Sequence, residues 1–318
     1  MKDIRIKICI TAVCLCGINA CNEDAVFKKE QYKKVVALVS NEDYNVFSVV
    51  HDLNGEETIG YIAASIGGSN PSAEDVILSL IQDNSLVNIY NTGNFDVAVE
   101  KYAKVLPDNK FHIESYRLTI PAGQKTGRTA IRIIPEGLSP DTVYFVPLRI
   151  NTFTGYEVNP NKADILYKVF VSNYYASTAT TTTYNMIARY SRNTEAFVDM
   201  PGLVTVHPIA KDKIRLFAGD ITFSADIQKI DDSAIIIEVK SDNSINITAY
   251  KNLEVTQING DPDFPNVFSI YNDGFKSYKQ FLLHYRYSIG LNTWEWKQEL
   301  RKELTAEEIL EYNKNHKD

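Results

Sequence analysis

The sequence predicts an all-β protein: an immunoglobulin-like β-sandwich followed by a small antiparallel β-barrel or closed sandwich. Three observations predict it. Short β-branched runs recur along the chain with Gly-, Pro- and Asn-rich turn signals between them. No segment after residue 20 approaches the ~20 apolar residues that a membrane-spanning helix needs. The four cysteines are Cys9, Cys14, Cys16 and Cys21, so the body that follows holds no disulfide and depends on its core. A length of 318 residues suffices for about two such domains.

The N-terminus reads as a secretory signal. Lys2, Arg5 and Lys7 give a basic start, Ile8 to Ile18 is apolar, and Asn19-Ala20-Cys21 closes the run. A short apolar stretch of this kind is cleaved rather than kept as a span. Residues 1–20 are therefore expected to be removed and residues 21–34 to form a polar tether. Strands are expected at Val35 to Val39, Val46 to Val50, Thr58 to Ile66 and Val76 to Ile81. Asp83-Asn84-Ser85 can cap a helix through Tyr90, and Phe95, Val99 and Tyr102 have the spacing of a second. Leu118 to Ile120, Thr129 to Ile134, Tyr144 to Asn151 and Ile165 to Val171 complete a sandwich over residues 35–172.

The Thr-rich run Ser177 to Thr183 is either an extended linker or an edge strand. Small polar residues bury little, which favours a linker over 173–184. Eight strands follow within residues 185–304: Asn185 to Ser191, Leu203 to His207, Ile214 to Ala218, Ile235 to Val239, Ile245 to Tyr250, Val267 to Tyr271, Gln280 to Tyr287 and Trp294 to Leu300. Hairpin-sized gaps near the end favour closure. Thr305-Ala306-Glu307-Glu308 is a capping box opening a helical tail over 305–318.

The formal charge is -7, and removing residues 1–20 makes it two charges more negative. Such a balance argues against nucleic acid, which needs a basic face, and against electrostatic binding of anionic lipid.

A Cys directly after the small residue makes the leader resemble a bacterial lipoprotein signal. That resemblance implies acylation of Cys21 and a lipid anchor. The acidic pair Glu23-Asp24 is similar to the export signal that sends such proteins to the outer leaflet. An outer-membrane location facing the cell exterior is the expectation. Within the first half, Asp83 to Asn91, then Leu106-Pro107, Leu118 to Gly123, Ile131 to Ile133 and Tyr144 to Ile150 occur in an ordered series. The series resembles a Bacteroidota β-sandwich domain of unknown function. That domain begins many surface lipoproteins and also precedes the catalytic barrel of some family 18 endo-β-N-acetylglucosaminidases. Tyr285-Arg286-Tyr287 and Trp294 to Leu300 make the second half similar to the lipocalin-like domain that often follows it. The resemblance implies a component of a polysaccharide-utilisation system, with outer-membrane uptake proteins as partners.

Chemistry is sparse. No two of His51, His112, His207, His284 and His316 lie at metal-ligand spacing, and no Gly-x-Ser-x-Gly elbow occurs. The paired acids and the barrel of a family 18 enzyme are not expected here, and Asp231-Asp232 reads as a turn. Asn259 to Asn266 clusters oxygen ligands, but without the EF-hand order and with two prolines. No catalytic residue, metal or cofactor is assigned. Glycan recognition needs flat rings with polar groups at their rim. Trp294 and Trp296 alternate and so share one strand face, either as barrel core or as a ligand surface. Tyr174 and Tyr175 at the domain junction are the second candidates. The expectation is a non-enzymatic glycan-binding or accessory protein, and its alternative is an interaction subunit that touches no sugar.

Overall fold

The computed structural model describes residues 33–315. The expected signal peptide, Cys21, Glu23, Asp24 and all but the end of the expected tether lie outside them.

The first domain has strands β1 (Val35–Leu38), β2 (Val46–Asp52), β3 (Thr58–Ile66), β4 (Val76–Gln82), β5 (Lys104–Val105), β6 (Phe111–Ile113), β7 (Arg117–Ile120), β8 (Thr126–Ile133), β9 (Tyr144–Phe153), β10 (Glu157–Val158) and β11 (Asp164–Ser172). They form two sheets, ordered β10-β1-β3-β8-β6 and β2-β11-β9-β4-β7, with β5 added beside β9. Alternation sends Ile62, Leu78, Leu118, Ile131, Leu148 and Ile165 into one core between the sheets. A polar trio is sealed in it: His51 sits 2.7 Å from Thr58 Oγ1 and 3.0 Å from Tyr167 Oη. Gly60 is needed beside it, because a Cβ there would lie 1.8 Å from that same Tyr167 oxygen. Burial pushes the His51 imidazole down to about 4, so it is held neutral.

Helix α1 (Ser85–Phe95) starts where Asp83 accepts from the Ser85 N–H at 3.0 Å. It runs past Tyr90, the expected end. Asp96, at φ 47°, turns the chain out of the helix, so the second expected helix shrinks to a 3-10 turn over Val99–Lys101.

The second domain has β12 (Thr182–Arg192), β13 (Val198–Ala210), β14 (Lys213–Phe217), β15 (Ala234–Val239), β16 (Ile245–Ala249), β17 (Glu254–Gln257), β18 (Val267–Asn272), β19 (Ser277–Ile289) and β20 (Asn292–Glu303). All neighbours are antiparallel, in the order β16-β15-β14-β13-β12-β20-β19-β17, with β18 also on β19. Side chains and one bridge nearly close the barrel between its edges. The Ile247 N–H donates to Gln257 Oε1 at 2.7 Å, and Gln257 Nε2 donates to the Ile245 carbonyl at 3.0 Å. Ser244 bridges to Val267. A glutamine amide thus replaces the missing backbone ladder. The extra strand β17 is short and alternates exposed with half-buried residues, so it leaves no apolar signature.

Two readings are corrected here. Asp231 and Asp232 lie in helix α2 (Ile227–Ser233), not a turn: Asp226 caps it by accepting from the Lys229 N–H at 2.8 Å. The Thr run is divided, with Thr182 and Thr183 inside β12 between β13 and β20. Buried Tyr184 anchors that start. The remaining connection is tied down. Asn173 Nδ2 donates to the carbonyls of Ala210 and Lys213, and the Thr178 N–H returns to the Val171 carbonyl.

Across the junction Arg215 of β14, fully buried, makes two 2.6 Å bonds to the Asp141 carboxylate of the sandwich. The capping box forms: the Thr305 N–H donates to Glu308 at 2.8 Å and the Glu308 N–H to Thr305 Oγ1 at 3.2 Å, opening α3 (Ala306–Asn315). Among the described residues no helix is long and apolar enough to cross a membrane.

Candidate functional site

Hairpin register decides the fate of the two tryptophans. Across β19 and β20, Tyr285 faces Trp296 and Tyr287 faces Trp294, all toward the barrel interior. The chain between β14 and α2 folds into that interior as a plug. The Gly219 N–H donates to Tyr285 Oη at 2.7 Å, and Tyr285 donates to Gln298 Oε1 at 2.7 Å. Gln298 Nε2 returns to the Gly219 carbonyl at 3.1 Å. Each member satisfies the next, as a buried polar network must. Gly219 has φ +61°, and a Cβ on it would stand 2.6 Å from the Trp296 ring. Trp296 is 1% exposed and stacks on Tyr190 at 5.0 Å. It is a core residue, walled off by the plug, and offers no surface to a ligand.

Trp294 lies two residues nearer the open end and is half-buried. Its ring stacks on Tyr287 at 5.3 Å with 19° between planes, and the Arg192 guanidinium lies 5.7 Å from it. The rim here is strained. Asn193 and Thr194 have φ of 48° and 70°, a left-handed conformation that is costly for a β-branched residue. Hydrogen bonds hold it: the Asn193 N–H donates to the Thr293 carbonyl at 2.9 Å, and the Thr293 N–H to Asn193 Oδ1 at 2.9 Å. Arg192 and Asn193 both donate to Asn292 Oδ1, at 2.8 and 3.1 Å. On the outer face of the sheet, turned away from the Trp294 ring, opens a recess of about 310 Å³ lined by Ser191, Asn193, Thr194, Arg286, Thr293 and Glu295.

The floor of the recess continues into a charged row on the outer face of the barrel. Glu295 accepts from Arg286 at 2.7 Å and lies 3.0 Å from His284 Nε2. Asp261 lies 2.6 Å from Lys297 and 3.5 Å from His284. Burial pushes the Glu295 carboxyl up, but the Arg286 and His284 bonds outweigh it and hold it below the ordinary range. Asp261 is lowered chiefly by Lys297. Both carboxylates are therefore ionised and paired, suited to fixing hydroxyl groups and poorly suited to delivering a proton. Side-chain oxygens of Asn259, Asp261 and Asn266 in the 259–266 loop are likewise engaged. Asp261 accepts from the N–H groups of Asp263 and Phe264, and the Asn266 amide bonds the Ile258 carbonyl. Among the described residues no group of three or more His, Cys, Asp or Glu could hold a metal.

Tyr174 and Tyr175 lie at the opposite end. Tyr184, whose hydroxyl donates to the Tyr175 carbonyl at 2.9 Å, lies eight residues or about 26 Å along β12 from Arg192. Tyr175 packs on Phe268 at 5.0 Å and Phe281 at 5.6 Å and caps the core. Tyr174 keeps 40% exposure, but Lys279 Nζ sits 4.0 Å from its ring centroid. Lys279 is fixed there by the Tyr174 carbonyl and by Glu308 of α3. These two tyrosines seal the linker end. The four aromatic candidates thus do not converge, and only Trp294 reaches a rim. Sequence reasoning missed Arg192, Tyr287 and Asn193. Tyr287 was within reach, since a turn at Gly290 sets its register opposite Trp294.

A family model for an N-terminal domain matches residues 28–157, and one for a C-terminal domain matches residues 163–305. A multidomain protein including DUF1735 from Bacteroides ovatus aligns over 86% of this chain and 95% of its own, at 16% identity and a TM-score of 0.62. A protein of unknown function from the same species covers 88% and 94%, at 15% identity and 0.62. An auxiliary nutrient binding protein from Bacteroides thetaiotaomicron VPI-5482 covers 83% and 93%, at 13% identity and 0.54. At these identities the likeness is one of fold. No curated protein sequence matches the chain. The chain carries the N-terminal and the C-terminal domain of these two family models and shares with the Bacteroides structures the two-domain fold, a β-sandwich joined to a C-terminal barrel, as the resemblance implied.

Proposed function

We propose that the protein is a non-enzymatic, surface-exposed lipoprotein that captures a glycan at the hairpin end of its barrel, as an accessory component of a polysaccharide-utilisation system. One observation carries the reading: Trp294, half-buried at the open end of the barrel, is stacked on Tyr287 and flanked by Arg192, with the Asn292 amide oxygen holding Arg192 and Asn193 at the same rim. A flat ring takes the C–H face of a sugar, and the polar rim takes its hydroxyls. The similar fold of an auxiliary nutrient binding protein supports the class of role. Acylation at Cys21, with Glu23-Asp24 as export signal, would place the site outside the outer membrane within reach of external glycan. Protease shaving of intact cells, with and without Cys21→Ala, tests that address. Loss of the protein only from shaved wild-type cells is expected.

The binding test is titration of the chain from residue 22 onward against a broad panel of neutral and anionic oligosaccharides. Saturable binding to at least one, without turnover, is expected. A folded protein that binds none removes the reading.

A second reading, an interaction subunit of an outer-membrane uptake complex, is favoured by a different feature. Ile187 and Leu203 are 56% and 71% exposed on the outer face of adjacent strands β12 and β13. Exposed apolar groups so placed suit a protein partner. Co-purification of outer-membrane proteins that is lost in Ile187→Ser/Leu203→Ser and unaffected by Trp294→Ala would favour it.

A further inference from the structure

We propose that the sandwich domain carries a saccharide site of its own, a cleft built around Tyr44 that takes a neutral oligosaccharide. It goes beyond the barrel-rim reading and does not rest on it.

The cleft holds about 660 Å³ and opens between the β1–β2 connection and helix α1. That is within the range of small-ligand sites, ~300–1,000 Å³. Tyr44 is its centre. The residue has φ 56° and ψ 24°, and Asn45 after it has φ 55°. Two consecutive left-handed residues without a glycine are strained, and such strain persists only where the surroundings impose it. They do so here. Asn45 Nδ2 donates to the Asn161 carbonyl at 2.9 Å and to Asp164 at 2.7 Å, while the Asn41 and Glu42 N–H groups both reach the Val46 carbonyl. The strained turn lays the Tyr44 ring along α1. Its oxygen rests over Gly93, where a Cβ would be 2.2 Å away, and Tyr90 meets the ring edge-on at 5.6 Å. Tyr90 is in turn seated on core Phe145 at 4.8 Å. The ring is braced from below and still 43% exposed.

Around this ring stand hydroxyl-binding groups. The side chains of Asn41 and Asp43 make no hydrogen bond or ion pair among the described residues. Asn94 and Lys162 face them from α1 and from the β10–β11 connection. An aromatic face ringed by free amide and carboxylate oxygens is the chemistry of a sugar subsite. Glu42 and Asp43 against the single Lys162 make the rim net negative, which disfavours uronic or sulfated chains.

The test uses the chain from residue 22 onward, with maltohexaose, cellohexaose and mannohexaose as neutral probes and hexagalacturonate as the anionic control. Tyrosines are nitrated with tetranitromethane and the modified positions read by mass spectrometry. Tyr61 and Tyr116, 42% and 40% exposed, are internal controls. The expected result is that at least one neutral hexasaccharide slows Tyr44 nitration several-fold, leaves Tyr61 and Tyr116 unchanged, and does so equally in Trp294→Phe. In Tyr44→Asn, where asparagine tolerates the left-handed turn, affinity for that sugar falls about tenfold, as loss of one ring stack predicts. An unchanged Tyr44 rate with every neutral probe overturns the proposal. Protection by hexagalacturonate alone overturns the ligand class. Protection that disappears in Trp294→Phe overturns the independence of the site.

Discussion

Trp294 and Trp296 stand two residues apart on one strand, point the same way, and differ in burial. Trp296 is sealed beneath Gly219 and stacked on Tyr190. Trp294 stands at the end of the same column, where the plug no longer covers it, and stacks on Tyr287 beside Arg192. The difference is set by a loop some 75 residues earlier in the chain (Gly219 to Trp294) rather than by either residue or its neighbours. Two rings of one type on one face become a sealed core residue and a half-buried rim residue because Gly219 packs on one of them.

Truncation separates the two roles most strongly. Trp296→Ala empties a filled core position and should cost about 3–5 kcal/mol of stability. Trp294→Ala loses only half-buried area and should cost about 1–2 kcal/mol while removing glycan affinity at the barrel rim. Urea denaturation of both variants checks the contrast, and equal losses would erase it. Next in size is Gly219→Ala. It forces a side chain into a left-handed position and against the Trp296 ring, and should cost about 2–4 kcal/mol. Its crystal structure or near-ultraviolet circular dichroism should show the plug displaced. A neutral effect would mean the plug is not what seals Trp296.

The third prediction compares the two domains rather than the two rings. His51 in the sandwich and His207 in the barrel are both pushed down to about 4, chiefly by burial. Arg215 lowers His207 further, against a smaller opposite pull from Asp141. A histidine whose folded value lies below its unfolded value of 6.5 makes the unfolded state the better proton binder as pH falls. Stability is therefore full above about pH 6.5 and declines between there and about pH 4. Its slope is about 1.4 kcal/mol per pH unit for each histidine. Thermal melts from pH 7.5 to 4 should show the decline, and His51→Gln and His207→Gln should each flatten it. A melt independent of pH in that window would contradict both assignments.

The sequence made most of the architecture legible. Strands with a full alternating stripe, such as β3 and β15, are read from their own residues. Those with none, such as β17 and the two-residue β5 and β10, exist only because a neighbour offers an edge. Helix α2 was missed although Asp226 marks its start, because the acidic pair within it imitates a turn. At the candidate site, alternation gave the face of Trp294 and Trp296 but not their depth. Depth depends on Gly219, whose φ and whose contact with Trp296 join segments far apart in the chain. For the same reason Tyr174 and Tyr175, adjacent at the junction, resemble an exposed platform until Lys279 and Phe281 are placed against them.

The chain has two tryptophans, and this permits a direct measurement of the central claim. Trp294→Phe and Trp296→Phe each leave one indole as reporter. Tryptophan fluorescence is then read while the oligosaccharides that bind the wild-type chain are titrated in. The account predicts a saturable change in Trp296→Phe, where Trp294 reports, and silence in Trp294→Phe, where only the sealed ring remains. A response from Trp296 alone, or silence of both indoles with every oligosaccharide that still binds the Tyr44→Asn chain, would contradict it.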